Sequence, residues 1–554
     1  MKKKTTTLLL LIVLLVSFVF RFWKLSSYPV SLSIDEVIIG YDSYSILKTA
    51  KDHWGEFLPL AFKSVGDYKP PVLVYLMIPA IKFFGLNEFG IRFTVAFIGS
   101  LTPLVVYFLI NSLFKNRFLS FISALLLAVS PWHIQFSRGS FEAVLALFLF
   151  LVATSLFLSS LQKKGKFWWL AAIFYSLSIY SYHSERIFIP LFFFLLLLVY
   201  RQELWRFKGN TFRALALAII ILIPLLLLLA SNKGQARAKS VFLTNDYELR
   251  TLRLEKISQW SNKNLAEEIL NGGATNTFSF WTKRFLEYSD FSYLFFKGMN
   301  YTHPKFPNVG LMYFWELPFF LWGIFVLTNQ QVVDRKIKWL IAGWLLLGIL
   351  PASLTNNSQH PLRSLTAIPV PQLFSALGIY SFLVLIKKVK IGVMGKRIIY
   401  LGLAISTSIC LLFYFDLYYV HYPVHYSHYW MYGMKEMVLY LWQNKDKYDQ
   451  IIIDADFGVE AKNITGIPYA YILAYGKTDP GVIQTAHQRQ SSSFGFENFV
   501  FREVYWPKDK NLKNTLLVAS FWQLSPQEVP SSQVVKVVSL YNKTPMFYLV
   551  ETRK

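Results

Sequence analysis

Apolar residues occur in long, closely spaced segments over most of the chain, and short polar or basic connections separate them. A helix needs about 20 mostly apolar residues to cross the ~30 Å hydrocarbon core of a bilayer. Eleven segments approach this length, which predicts an α-helical polytopic membrane protein. The predicted spans are residues 8–23, 91–114, 118–135, 141–161, 167–184, 187–201, 214–231, 311–329, 338–353, 365–386 and 398–416.

Two longer connections do not fit the pattern of simple spans. Residues 24–90 form a predicted first outer loop, in which residues 41–51 have the mixed pattern of a surface helix. The apolar segment 71–84 has about 14 residues, which is short for a crossing and predicts a re-entrant or interfacial helix. Residues 232–310 form a second predicted outer loop with mixed charge and many aromatic residues.

Basic residues cluster in alternate connections, and cytoplasmic loops of membrane proteins are rich in lysine and arginine. We therefore expect a cytoplasmic N-terminus, an uncleaved first span and a multi-pass protein of the plasma or inner membrane. An odd number of spans places residues 417–554 outside. The clusters assigned to the cytoplasm are Lys115 and Arg117; Lys163, Lys164 and Lys166; Arg201, Arg206, Lys208 and Arg213; Arg335, Lys336 and Lys338; Lys387, Lys388, Lys390, Lys396 and Arg397.

The last part of the chain has a different pattern. Short β-branched and aromatic segments bounded by polar turns predict strands, and they predict a small extracytoplasmic α/β domain at residues 417–554. Residues 1–416 then form the transmembrane domain. The predicted strands are residues 451–453, 516–520, 534–540 and 545–550.

Composition changes this picture little. The chain of 554 residues is 54% hydrophobic and 16% charged, with a formal net charge of +24. A basic protein can bind nucleic acid, but many of these basic residues lie in short clusters between apolar segments, where they fix topology. We therefore expect no nucleic-acid partner. A single cysteine, Cys410, excludes an internal disulfide.

Two adjacent carboxylates, Asp35 and Glu36, follow the first span. One of them could act as a general base that takes a proton from an acceptor hydroxyl or amine. Together they could hold a divalent cation such as Mg²⁺ or Mn²⁺ through oxygen ligands. The alternative interpretation is structural, because acidic residues also favour the first turn of a helix.

Cations accumulate on the same predicted outer face. Lys69 precedes two prolines that suit the start of a helix, and Arg138, Arg186 and Arg363 lie in otherwise weakly basic outer connections. Each could bind phosphate, the arginines through bidentate bonds from their guanidinium groups, or could anchor the chain at the headgroups. Arg138 could instead pair with Glu142, four residues later. The combination of acids and cations on one face suggests transfer from a lipid-linked phosphate donor.

Residues 8–390 resemble the GT-C membrane glycosyltransferases of the protein O-mannosyltransferase and aminoarabinose-transferase type (glycosyltransferase families 39 and 83). The residues that carry the resemblance are Asp35-Glu36, Lys69-Pro70-Pro71, Ser137-Arg138 with Glu142, Arg186, and Arg363 before a proline-containing span. In this family an aspartate often stands at the position of Glu142, and an aromatic residue at the position of Ser364.

The resemblance implies an inverting transferase that moves a sugar from a polyprenyl-phosphate donor to a protein, lipid or glycan acceptor, with roles in cell-envelope glycosylation. It implies that Asp35 is the catalytic base supported by Glu36, and that Lys69, Arg138 and Arg363 hold the donor phosphate. Candidates that contact the acceptor or shape the site are Tyr68, Glu142, His183 and Arg186.

Two other functions are also compatible with the sequence. A transporter or flippase of a lipid-linked sugar would bind the same ligand, but it predicts ionisable residues within spans and repeated halves. The charges here lie at the predicted outer boundary instead. A catalytically inactive scaffold that uses residues 417–554 for binding is the third interpretation.

Overall fold

A computed structural model describes residues 3–64, 67–258, 273–298, 309–329, 333–357, 359–389, 392–454, 468–486 and 494–552. Most described residues belong to helices. The helices are α1 (Lys3–Phe22), α2 (Ile34–Thr49), α3 (Pro71–Phe84), α4 (Glu88–Phe114), α5 (Arg117–Val129), α6 (Pro131–Ser137), α7 (Glu142–Ser160), α8 (Trp168–Ser181), α9 (Glu185–Val199), α10 (Arg201–Arg206), α11 (Lys208–Ala230), α12 (Asn232–Val241), α13 (Tyr247–Ser258), α14 (Gly273–Glu287), α15 (Leu317–Asn329), α16 (Arg335–Ser353), α17 (Val370–Lys388), α18 (Val393–Asp416), α19 (Tyr422–Tyr426), α20 (Met434–Asn444), α21 (Pro468–Tyr475), α22 (Pro480–Thr485) and α23 (Trp506–Asp509).

The bundle confirms the predicted polytopic helical architecture. In the described part of the chain, seven helices are long and apolar enough to cross a membrane, or eight if α5 and α6 form one span bent by 54°. The bend falls at Pro131, whose ring cannot continue the hydrogen bonding of α5. The predicted count of eleven is too high by this criterion. Each of the three remaining predicted spans contains a shorter helix, α8, α9 or α15, of 14, 15 and 13 residues.

Helices α15 and α17 show how the bundle packs. Gly323 of α15 lies against the carbonyl group of Phe374, and Gly378 of α17 lies against the carbonyl group of Phe319. A Cβ atom at either glycine would collide with the facing backbone. Small residues let two helix backbones approach closely within a membrane, so each glycine permits close contact with the facing helix.

The first loop differs from its predicted form. Helix α2 begins at Ile34, earlier than the predicted residue 41, because Ser33 and Glu36 form a reciprocal capping box. Residues along α2 are mostly buried, so α2 is not a surface helix as predicted. Helix α3 keeps the predicted bounds of residues 71–84. Strands β1 (Phe62–Lys63) and β2 (Tyr68–Lys69) form a short antiparallel pair before it.

The C-terminal region contains the predicted small α/β domain. Its sheet has the order β4-β5-β3-β6-β8-β7, in which β3 is parallel to β5 and β6 and the outer pairings are antiparallel. Four strands match the predicted segments, whereas β4 and β5, of three residues each, were not predicted. The strands are β3 (Gln450–Ile453), β4 (Phe494–Phe496), β5 (Phe499–Phe501), β6 (Thr515–Ala519), β7 (Val534–Ser539) and β8 (Pro545–Glu551).

The sheet and the bundle share one continuous hydrophobic core. Helix α21 packs against both α20 and α2, so it connects the sheet domain to the first loop. The predicted domain boundary near residue 417 falls within a helical stretch that extends from Val393 to Trp430. A separate, smaller cluster that includes Ile452, Leu517 and Val550 lies on the sheet.

Candidate active site around Asp35 and Lys69

The N-terminus of α2 positions Asp35. Ser33 caps the helix by accepting a hydrogen bond from the Glu36 amide at 3.4 Å, while the Ser33 amide donates to the Glu36 carboxylate at 2.9 Å. Asp35 therefore lies in the first turn, where the helix dipole stabilises a negative charge. Its side chain is 49% exposed, which leaves it accessible to a substrate.

Lys69 faces Asp35. The Lys69 Nζ atom lies 2.8 Å from Asp35 Oδ1 and 3.8 Å from Asp67 Oδ2. Strand β2 holds the lysine, and Pro70 and Pro71 then start α3 directly after it, so its backbone has little freedom. Burial alone would lower the pKa of Lys69, but the charges of Asp35, Glu142 and Asp67 outweigh burial and raise the pKa above its ordinary value. Lys69 is therefore a permanent cation.

Glu142 is the third acid near Lys69. It is the first residue of α7, is buried, and interacts electrostatically with both Lys69 and Asp35. The structure thus brings together three residues that the sequence predicted: Asp35 of α2, Lys69 of β2 and Glu142 of α7. Their arrangement combines an accessible carboxylate, a buried ammonium group and a buried carboxyl group.

Arg237 extends this cluster and was missed in the sequence. It belongs to α12, and its Nη1 atom donates to Asp67 Oδ2 at 2.7 Å. Asp67 thus connects Lys69 with Arg237. The signal for Arg237 was present, because Lys233, Arg237 and Lys239 form a basic cluster in a predicted outer loop, against the bias for cytoplasmic basic residues.

A cavity of about 230 Å³ opens beside Arg237. Arg363 donates to Thr355 Oγ1 at 2.7 Å and to the Asn356 carbonyl oxygen at 2.8 Å, and burial lowers the pKa of Arg363 from its high ordinary value. The buried Nε atom of Arg186 has no hydrogen-bond partner among the described residues. The polar residues that line the cavity include Tyr182, His183, Ser184, Arg186, Arg237, Thr355 and Arg363.

His183 joins this cavity to the first loop. Its Nε2 atom lies 3.1 Å from the carbonyl oxygen of Tyr68, to which a protonated Nε2 donates. Burial and the nearby Arg186 and Arg237 hold the pKa of His183 well below its ordinary value, so the imidazole is neutral at physiological pH. Tyr68 contributes its backbone to this contact.

Glu36 turns away from Asp35. It is fully buried, and its Oε1 atom accepts from Arg92 Nε at 2.8 Å and from the Ser140 amide at 3.3 Å. Its Oε2 atom accepts from the Ser33 amide. With these partners Glu36 does not form a joint cation site with Asp35. Among the residues that the structure describes, no three histidine, cysteine, aspartate or glutamate side chains are arranged to hold a metal ion.

The guanidinium group of Arg138 forms its hydrogen bonds within the protein. Its guanidinium group donates to backbone carbonyl groups at the end of α1 and just after it, those of Phe20, Arg21, Trp23 and Tyr28, at 2.8–3.2 Å. Its Nε atom donates to the hydroxyl group of Tyr418. Arg138 therefore satisfies carbonyl groups at a helix end. No ion pair among the described residues joins Arg138 to Glu142.

Comparison with known proteins confirms the resemblance to the GT-C membrane glycosyltransferases. Residues 68–228 match the family of dolichyl-phosphate-mannose-protein mannosyltransferases. An uncharacterised protein of Aquifex aeolicus (strain VF5) is 31% identical over 160 residues, which are 28% of this chain and 32% of that protein. The chain thus aligns with about a third of that relative.

Two solved structures share the fold. The oligosaccharyltransferase AglB of Archaeoglobus fulgidus, in complex with an inhibitory peptide and a dolichol-phosphate, superposes with a TM-score of 0.51 at 15% identity, over 85% of this chain and 64% of that one. ArnT of Cupriavidus metallidurans, bound to undecaprenyl phosphate, superposes with a TM-score of 0.54 at 11% identity, over 99% and 98% of the two chains. The chain therefore has the GT-C membrane fold.

Proposed function

We propose that this protein is a membrane glycosyltransferase that moves a sugar, with inversion, from a polyprenyl-phosphate donor to an acceptor hydroxyl or amine. The observation that carries the proposal is the contact of 2.8 Å between the accessible Asp35 carboxylate and the buried Lys69 ammonium group. An arginine-lined cavity lies next to that contact. The GT-C fold and the mannosyltransferase match at residues 68–228 support the same reaction class.

Asp35 acts as the general base. The acceptor oxygen or nitrogen attacks the anomeric carbon while Asp35 removes its proton, and the bond from that carbon to the phosphate oxygen breaks. The electron pair of the broken bond stays on the polyprenyl phosphate. Attack opposite the leaving group inverts the anomeric configuration. A half-exposed carboxylate suits this role because an acceptor can reach it.

Cations bind the phosphate and stabilise the charge that develops as it leaves. Lys69 provides a fixed charge beside Asp35. Arg186, Arg237 and Arg363 line the neighbouring cavity, and guanidinium groups hold phosphate with paired hydrogen bonds. Two solved structures of the same fold contain this chemical class, since AglB is in complex with a dolichol-phosphate and ArnT is bound to undecaprenyl phosphate.

The other predicted residues take supporting roles in this proposal. Glu142 holds the Lys69 ammonium group in place by its charge and shapes the part of the site that receives the acceptor. Glu36 positions Asp35 by closing the capping box of α2 and by binding Arg92. Arg138 holds the end of α1 rather than the donor, because its donors already bind the chain.

An apolar cavity of about 250 Å³ suits the prenyl tail. It lies between α8, α9 and α11, and residues of α9 and α11 also line the arginine-lined cavity. On α9, Ile187 lines the arginine-lined cavity and Ile189 lines the apolar one. A phosphate held by the arginines would therefore have an apolar channel for its tail along the same helices. We place this site on the extracytoplasmic face, with the C-terminal domain outside and the N-terminus in the cytoplasm.

The test is sugar transfer by purified protein in liposomes. Radiolabelled polyprenyl-phosphate mannose, glucose and aminoarabinose are offered as donors, with a native membrane extract as acceptor. Wild type is compared with Asp35→Asn and with a matched control, Asp416→Asn, whose carboxylate is 52% exposed and pairs with His421. We expect transfer by wild type and the control and loss of transfer in Asp35→Asn. Full activity of Asp35→Asn would refute the assignment of the base. Flipping of donor lipid without transfer would favour a transporter.

A further inference from the structure

The C-terminal domain lies along the whole length of α2. Tyr471 of α21 donates its hydroxyl hydrogen to the carbonyl oxygen of Leu32 at 3.0 Å, just before α2 begins. In the middle of α2, Tyr41 donates to the carbonyl oxygen of Thr478 at 2.9 Å. Near its end, the Gln484 amide donates to Thr49 Oγ1 at 2.9 Å. The domain therefore supports the helix that presents Asp35.

The other side of α2 is held by the bundle. Gly40 packs against Ile91 of α4, with no room for a Cβ atom. The Ser43 hydroxyl donates to the Val74 carbonyl oxygen of α3 at 2.9 Å. Helix α2 is thus clamped between the bundle and the C-terminal domain, so neither side alone determines its position.

The segment that leads into α2 is fixed in the same way. From the bundle side, Arg92 donates to the carbonyl oxygens of Pro29 at 2.9 Å and Ser31 at 2.5 Å. From the C-terminal domain, Tyr471 donates to the carbonyl oxygen of Leu32, which directly follows Ser31. Tyr471 is fully buried and lies close enough to Asp35 and Glu36 to interact with them electrostatically. The capped first turn of α2 therefore depends on a contact from the C-terminal domain.

We propose that Tyr471 is a positioning residue of the active site and that the C-terminal domain is therefore part of the catalytic unit. Its hydrogen bond to Leu32 holds the first turn of α2, and this fixes the direction in which Asp35 meets Lys69. The inference rests on the proposed function for its effect on turnover. The positioning of α2 itself is independent of that function.

The test uses the full chain with Tyr471→Phe, which removes only the hydroxyl group. Tyr313→Phe is the matched control, because Tyr313 is also buried and donates to a backbone carbonyl group, that of Val129 at 2.8 Å. Four quantities are measured: kcat, KM for the donor that wild type uses, the stoichiometry of undecaprenyl-phosphate binding, and amide hydrogen exchange in the first turn of α2.

We expect Tyr471→Phe to lower kcat about fivefold, the equivalent of the net contribution of about one hydrogen bond. KM for the donor and the binding stoichiometry should stay at their wild-type values, because the cationic cavity is untouched. Amide exchange should accelerate in the first turn of α2 in Tyr471→Phe and not in Tyr313→Phe. A merely structural role would instead reduce the binding stoichiometry.

Two results would overturn the inference. One is unchanged kcat together with unchanged exchange in α2. The other is a loss of binding-competent protein with exchange raised throughout the chain. If wild type transfers no sugar, the proposed function fails, and amide exchange still decides the inference: localised acceleration at α2 supports it, and an unaltered first turn refutes it.

Discussion

Arg237 offers the sharpest test of the donor site, because the geometry alone identified it. We predict that Arg237→Ala weakens binding of undecaprenyl phosphate while the protein stays folded. The Arg237 side chain is 33% exposed, and among the described residues it forms one ion pair, with the buried Asp67, which also lies 3.8 Å from Lys69. Because Arg237 is partly exposed and Asp67 keeps Lys69 as a second cation, loss of the pair should cost about 1 kcal/mol or less of stability. The substitution should therefore leave the thermal unfolding midpoint close to that of wild type.

The expected loss of affinity follows from the contacts. Only the Nη1 atom of Arg237 has a hydrogen-bond partner within the described ranges of the chain, so other N–H groups remain for a phosphate. A hydrogen bond to a charged group contributes about 1.5–3 kcal/mol. Since about 1.4 kcal/mol corresponds to a tenfold change in Kd, we expect Kd to rise about 10- to 100-fold. Arg237→Lys should recover part of the loss, because it keeps the charge but not the paired geometry.

The assay is equilibrium binding of undecaprenyl phosphate to purified protein. Arg250→Ala is the matched control: Arg250 lies in the same connection, predicted as the second outer loop, and its Nη2 atom donates to the Asn245 side chain instead. Unchanged affinity of Arg237→Ala would refute the donor site proposed here. An equal loss in Arg250→Ala would show that the loss reflects the net charge of the loop rather than a specific contact.

Further substitutions separate the remaining roles. Ala218→Trp fills the apolar cavity and should weaken binding of undecaprenyl phosphate at least about tenfold without affecting a short-chain prenyl phosphate, as measured by the same assay. Arg138→Ala leaves buried carbonyl groups without a donor, which costs about 1–3 kcal/mol and should lower the thermal midpoint without changing Kd in the folded fraction. Glu36→Gln leaves Arg92 unpaired in the core, so denaturant unfolding should show a loss of about 3–5 kcal/mol.

The sequence identified the centre of the candidate site because its signals are local. The pair Asp35-Glu36 follows the first span directly, and Lys69 precedes two prolines that start a helix. Helix-capping and proline preferences, which depend only on neighbouring residues, therefore identified these residues as lying at helix starts. The pattern did not show which of the two acids faces the solvent, because that depends on Arg92, which lies 56 residues beyond Glu36.

Local rules could not predict the partners of residues that bind distant parts of the chain. Arg138 binds the end of α1, more than 100 residues earlier. Arg237 reaches Asp67 across a separation of 170 residues. A sequence pattern shows that an arginine is present but not which oxygen atoms satisfy it. Helix lengths and bends were beyond the sequence pattern for a related reason: three predicted spans contain helices of only 13–15 residues, and another is bent by 54°.

The anomeric configuration of the product tests the central claim most directly. The sugar is transferred by wild type from a donor of known configuration, and the product is analysed by NMR spectroscopy. Asp35 as a general base in a single displacement predicts a product with the opposite configuration. A product with retained configuration would contradict the account, because it would require two successive displacements, as when Asp35 attacks the sugar as a nucleophile.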